Sequence, residues 1–194
     1  SMKRKFRFGV SYFANRMPEH FGQDLDEMKR GGCNEILLTY SENDMEFYAG
    51  MMKQFVSMAR EKGFETYAGP WSLGGVFGGE AYSKYVALHV DEREVLNNGD
   101  RPPAACLNNP HFRLFFRDWI HSAIDCGFDS IFFDEPHFFM PGWGNLYKAE
   151  QQDIWGCRCP FCRKLYQKVN GSEMPVELTD QVRKFKRMSI LDFL

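Results

Sequence analysis

The sequence predicts an α/β chain of the (β/α)8 TIM-barrel type, with about four βα units present in its 194 residues. Three observations carry this. The joints Gly32-Cys33-Asn34, Gly63-Phe64-Glu65 and Gly127-Phe128-Asp129 each end a helical pattern and open a strand pattern. A left-handed glycine ends such a helix, and the polar third residue turns the chain into the next strand. The strand runs are apolar on both faces, as parallel strands with right-handed crossovers require. Residues of functional type recur after every strand rather than at one switch point, which favours a barrel over a doubly wound sheet.

Taken in order, Lys5 to Phe13 alternates around Phe6, Phe8, Val10 and Tyr12 and predicts the first strand. From Pro18 a helical stripe of Phe21, Leu25 and Met28 runs to Gly31-Gly32. Asn34 to Tyr40 is the second strand. Ser41, Asn43 and Asp44 supply cap residues for a helix striped by Phe47, Met51, Phe55 and Met58 and stopped at Gly63. Phe64 to Ala68 is the third strand, closed by Gly69-Pro70-Trp71. Ser72 to Glu80 is a glycine-rich loop without the spacing of a phosphate-binding fingerprint, which argues against nucleotide binding. Asn109-Pro110 caps an apolar helix ending at Gly127, and Ser130 to Phe133 reads as a buried fourth strand. Helices through Tyr166 and from Thr179 onward complete the chain, as one domain over residues 1–194. A whole barrel takes about 250 residues, so the expectation is an N-terminal half.

A net charge of −2 and pI near 6.2 offer no basic field for nucleic acid. No apolar run has the length of a membrane span. The start is charged and strand-like rather than a signal peptide, and together with the cysteine usage this suggests a cytoplasmic protein.

Of six cysteines, three crowd into Cys157, Cys159 and Cys162. Cys159-Pro160-Phe161-Cys162 alone is like a glutaredoxin redox pair. Three thiols at this spacing also fold round one tetrahedral ion, and soft thiolates favour zinc. Cys106, just before the Asn109-Pro110 helix start, is the best fourth ligand. Structural zinc in a loop around residues 155–165, a redox pair and no metal are the readings the residues leave open. Cys33 and Cys126 read as buried apolar residues.

At the end of the fourth strand stand Asp134 and Glu135, followed by Pro136 and His137. An acidic pair at the end of a buried strand is either hydrogen-bonded structure, such as a helix N-cap by Asp134, or chemistry. Tyr12, Tyr40, Trp71, His137 and Trp143 all follow strands and are candidates to stack on or hydrogen-bond a sugar, or simply to plug the barrel mouth.

From Cys106 to about Gly171 the chain resembles glycoside hydrolase family 42, the zinc-containing β-galactosidases, and more loosely the wider group of barrel glycosidases. The resemblance rests on Cys-Leu-Asn-Asn-Pro-His-Phe-Arg before a helix, a strand ending in an acidic pair, and Cys-x-Cys-x-x-Cys before another helix. It implies one structural zinc on Cys106, Cys157, Cys159 and Cys162, a carbohydrate substrate, and the acid/base on Glu135. Asp134 stands where that family has asparagine. The family's second glutamate, the nucleophile after the seventh strand, has no counterpart in these residues.

A glycosidase needs two carboxyl groups across the bond. Glu42, Asp44 and Glu80 are candidate partners within the chain, each better explained as a cap or a solvated loop residue. Flanked by Phe133 and Pro136, Glu135 is expected to be partly desolvated and therefore protonated near neutral pH. The competing function is a non-catalytic, zinc-stabilised half-barrel that binds carbohydrate or a partner: a second copy, or the missing half of the barrel. A catalytic zinc needs an open coordination position, and four thiolates leave none.

Overall fold

The computed structural model describes residues 6–13, 16–140 and 153–194. Its central feature is a four-stranded parallel sheet in the order β1-β2-β3-β4, formed by β1 (Gly9–Tyr12), β2 (Glu35–Thr39), β3 (Glu65–Gly69) and β4 (Ser130–Ile131). Strand order follows chain order without reversal. The helices are α1 (Pro18–Arg30), α2 (Glu42–Phe47), α3 (Ala49–Glu61), α4 (Lys84–Leu88), α5 (Pro110–Cys126), α6 (Pro160–Asn170) and α7 (Asp180–Phe193). The chain divides into two compact units, Ser1–Trp71 with Asp118–Asp134, and Ser72–Arg117 with Glu135–Leu194.

In the first unit, the glycines of the three joints have positive φ, at 90° for Gly32, 78° for Gly63 and 89° for Gly127. The polar third residue of each joint then fastens the incoming strand. Asn34 accepts from the Phe8 N–H at 3.0 Å and donates to the Phe6 carbonyl at 2.7 Å. The Asp129 carboxylate accepts from both the N–H and the hydroxyl of Thr66, each at 2.9 Å. Glu65 pairs with Arg7 at 2.8 Å, and the same guanidinium reaches Glu35 and the Tyr67 hydroxyl. Satisfying polar groups at the strand starts lets the apolar residues between them alternate freely across the sheet.

One sheet face is core. Ile36, Leu38, Thr66 and Ala68 are buried, together with Phe21 and Leu25 of α1 and Met52, Phe55, Val56 and Ala59 of α3. Phe21 and Phe55 stack with ring centroids 4.1 Å apart, which fixes α1 against α3. On the other face Leu37, Tyr67 and Phe132 help to line an open cavity of about 440 Å³.

Three expectations are corrected here. β4 is two residues long rather than four, and Phe132 is 49% exposed, because the strand lies at the sheet's edge rather than in its middle. β1 starts at Gly9, with Phe6 and Phe8 exposed. The helix after β2 is two helices. A capping box between Ser41 and Asp44 starts α2, which ends at Tyr48, and the break resets the stripe so that Met52 and Val56 are buried while Phe47 is exposed.

The second unit has little regular structure between β3 and α5. Leu73, Val76, Phe77, Tyr85 and Val86 are buried there, and Phe77, Phe112 and Phe116 gather round Phe193, whose ring stacks on Phe112 at 5.7 Å and on Phe116 at 4.5 Å. Thr179 caps α7 by accepting from the Val182 N–H. Tyr166 of α6 meets Phe185 of α7 edge-on at 5.3 Å.

Candidate functional site

Four sulfurs converge in the second unit. Cys106 comes from the turn before α5, Cys157 and Cys159 from the loop before α6, and Cys162 from the first turn of that helix. All four side chains are buried and their Sγ atoms lie within 4.8 Å of one another. Cys106 Sγ is 3.5 Å from Cys162 Sγ and 3.4 Å from Cys159 Sγ. Tetrahedral coordination at about 2.3 Å per sulfur puts the sulfurs about 3.8 Å apart, whereas a disulfide needs about 2.05 Å. All six cysteines are free thiols. The set is the one expected from the sequence, and its spacing suits a metal ion rather than a bridge.

Backbone and side-chain N–H groups point at three of the four sulfurs. The backbone N–H of Val95 and that of Cys159 both donate to Cys157 Sγ, each at 3.4 Å. Asn108 supplies two more donors, its N–H to Cys106 Sγ at 3.4 Å and its side-chain amide to Cys162 Sγ at 3.3 Å. Such donors orient thiolate ligands and stabilise their charge. Hydrogen bonds from Cys106, then Cys157 and Cys162, hold the Cys159 thiol far below the ordinary range, while burial pushes the Cys157 thiol well above it. The cluster therefore carries a first negative charge readily, and further ones call for a cation among the sulfurs.

Two ionisable groups, Glu94 buried and Lys186 half-buried, belong to the same neighbourhood, and neither is signalled by the sequence. Glu94 is fully buried. Its Oε1 accepts from the Phe139 N–H at 3.0 Å, its Oε2 has no hydrogen-bond partner, and burial raises its carboxyl to about 8. Lys186 of α7 lies over the rings of Phe138 at 5.5 Å and Trp155 at 5.9 Å, and burial lowers its ammonium below the usual lysine range.

The strand-end residues fare unevenly. Tyr40 is no rim residue. It shares the parity of Ile36 and Leu38, lies wholly in the core, and its hydroxyl is 2.7 Å from Ser122 of α5 while Trp119 donates to its carbonyl at 2.9 Å. Burial raises the Tyr40 phenol well above its ordinary value. Tyr12 is half-buried, bonded to Asp24 and set against Phe21 at 5.1 Å. Trp71 is half-buried, with its ring edge-on to Phe13 at 5.1 Å. His137 is half-buried, its backbone N–H donating to the Val76 carbonyl at 2.9 Å and its Nδ1 facing the Glu135 carbonyl. Trp143 lies outside the described residues.

Asp134 is half-buried. Glu135 is exposed, so the desolvation expected of it falls instead on Glu94; its backbone has φ of +46°, a conformation uncommon outside glycine. Of the other carboxylates considered, Glu42 and Asp44 are buried. Asp44 closes the capping box and pairs with Arg16 at 2.7 Å, a structural employment. Glu80 is exposed.

Among the described residues, no helix is long and apolar enough to cross a membrane. No protein-family model matches the sequence, and no curated protein matches it either. Among solved structures, the chain is similar to a hypothetical protein from Ruminiclostridium thermocellum, with a TM-score of 0.59 and 11% identity over 95% of this chain and 87% of that one. A likeness at that identity is one of fold: the chain is a mixed α/β protein built on a four-stranded parallel sheet, with four buried cysteines placed to hold a metal ion.

Proposed function

We propose that the chain is a zinc-stabilised segment of a barrel-type glycoside hydrolase. The observation that carries the metal part is the closure of Cys106, Cys157, Cys159 and Cys162 to within 4.8 Å with N–H donors aimed at three of the four sulfurs. An all-thiolate set of tetrahedral spacing favours zinc over hard cations, and with four ligands the ion is structural. Sequential parallel order without a reversal supports four consecutive units of a (β/α)8 barrel, since a doubly wound sheet changes direction at its switch point. On this reading β1 and β4 are edges that further strands, or a second copy, would close.

The catalytic part rests on the position of Glu135 in the loop that follows the fourth strand and on the resemblance of the surrounding motifs to family 42. Glu135 is the acid/base, Asp134 orients it or the sugar, and the substrate is a carbohydrate. Metal analysis should return one zinc per chain. In the complete protein, Glu135→Gln should cut turnover of a poor leaving group about 100-fold or more and spare an activated aryl glycoside. Unchanged turnover would end the catalytic assignment. The exposure of Glu135 favours a second reading, a zinc-stabilised segment that binds carbohydrate without cleaving it. Saturable sugar binding that survives Glu135→Gln, with no turnover in either protein, would select it.

A further inference from the structure

We propose that Glu94 couples the cysteine centre to the loop after β4, so that metal at the centre sets the position of the loop bearing Glu135 and His137. The inference rests on the metal reading above and adds regulation to it: an ion with no part in bond breaking would govern whether the candidate acid is held in place.

The intermediary is the stretch from Glu92 to Asn97. On one side it meets the turn that supplies Cys106, with the Cys106 N–H donating to the Glu92 carbonyl at 3.4 Å and the Glu94 N–H to the Ala104 carbonyl at 2.8 Å. On the other it meets the loop that supplies Cys157. The Val95 N–H donates to Cys157 Sγ at 3.4 Å, the Val95 carbonyl accepts from the Arg158 N–H at 2.7 Å, and the Asn97 N–H donates to the Trp155 carbonyl at 2.9 Å. An ion that draws Cys106 and Cys157 together therefore clamps this stretch from both sides.

The side chain of Glu94 is what leaves the clamp. It is 0% exposed, and its one hydrogen bond runs to the Phe139 N–H. Oε2 is buried without a partner, beside a backbone position where only glycine fits, since a Cβ on Gly156 would overlap that oxygen. A buried carboxyl with half its acceptors unused costs stability. A methyl-bearing side chain would avoid that cost and fill the space. What the carboxyl alone supplies is the bond to Phe139, four residues after Glu135 and two after His137. Phe138 and Phe139 are themselves buried and the His137 N–H is bonded to the Val76 carbonyl, so packing together with that bond is the rival explanation for how the loop is held.

Amide hydrogen exchange on the full chain, read residue by residue by NMR with and without zinc, separates the two. With zinc bound, the Phe139 and Arg158 amides should both be protected, and stripping zinc with a chelator should speed both by about tenfold or more. Glu94→Ala, with one zinc retained, should speed Phe139 by about tenfold or more and leave Arg158 protected. Glu94→Gln keeps a carbonyl acceptor and should restore Phe139. If Phe139 stays protected in zinc-loaded Glu94→Ala, or if stripping zinc frees Arg158 and not Phe139, the coupling is overturned while the metal reading stands. If no zinc binds, the metal reading falls first and takes the coupling with it. The zinc titration of the unmodified chain decides the matter even where Glu94→Ala does not fold.

Discussion

The two units solve the same problem with different materials. In the first, strands alternate with helices in one repeated pattern, and the core is aliphatic and aromatic side chains at regular spacing: Phe21 and Leu25, Ile36 and Leu38, Phe55 and Val56. In the second, a long stretch of loops is closed by four thiols, a cluster of phenylalanines round Phe193, and side-chain hydrogen bonds such as those of Glu94, Asn108 and Trp155. Periodic sequence buries enough surface to order itself. Where periodicity is missing, each loop needs its own fastener, and a metal centre fastens several at once.

On the zinc reading proposed above, the largest effect expected from this contrast is on removing the metal. Structural zinc contributes an apparent ~10–16 kcal/mol in finger peptides, so stripping zinc or making Cys159→Ser should unfold the loops of the second unit. Proteolysis with mass mapping should then find cuts in the loop before α6 and in residues 89–106 before any within α1 or α3. Simultaneous loss of both regions would abolish the contrast.

The matching perturbation of the first unit is Phe55→Ala. It deletes a fully buried ring stacked on Phe21 and should cost about 3–5 kcal/mol, measured by denaturant unfolding, with zinc content unchanged at mild denaturant. A loss of zinc on this substitution would overturn the contrast.

Taken per pH unit, the smallest effect is that of acidity. Burial raises the Glu94 carboxyl to about 8 in the folded protein, against about 4.3 unfolded. Between those values the folded chain holds a proton that the unfolded chain has released. The stability from a neutral Glu94 is thus complete below about pH 4.3 and is lost as pH climbs toward 8. Glu94→Gln should remove a slope of the order of 1 kcal/mol per pH unit across that window. Parallel stability profiles for the two proteins would mean the carboxyl is ionised when folded.

The sequence made the first unit readable for a physical reason. A left-handed glycine, a polar third residue and alternating apolar positions are local requirements, so Gly32, Asn34 and Ile36 each announce their own conformation. The same terms account for the burial of Tyr40, because a residue two beyond Leu38 faces the same side of the sheet. The split at Tyr48 was harder to see, since the capping box of Ser41 and Asp44 starts a helix without saying how far it runs. Cysteine spacing exposed the metal set because ligands for one ion must come from short turns. Glu94 left no such mark. Its burial depends on Phe139, Gly156 and Lys186, contributed by three distant stretches, and no local pattern distinguishes it from the exposed Glu80.

The short fourth strand has a consequence for how the chain behaves in a crowd. An edge of full length would present a row of free amides and carbonyls on which another molecule could propagate a sheet, the usual route to aggregates. Two residues present almost none. At the starting end of β2 and β3, Glu35 and Glu65 are held by Arg7, and charges so placed penalise flat stacking of one sheet on another. The β4 edge thus carries protection against self-templating in its own geometry.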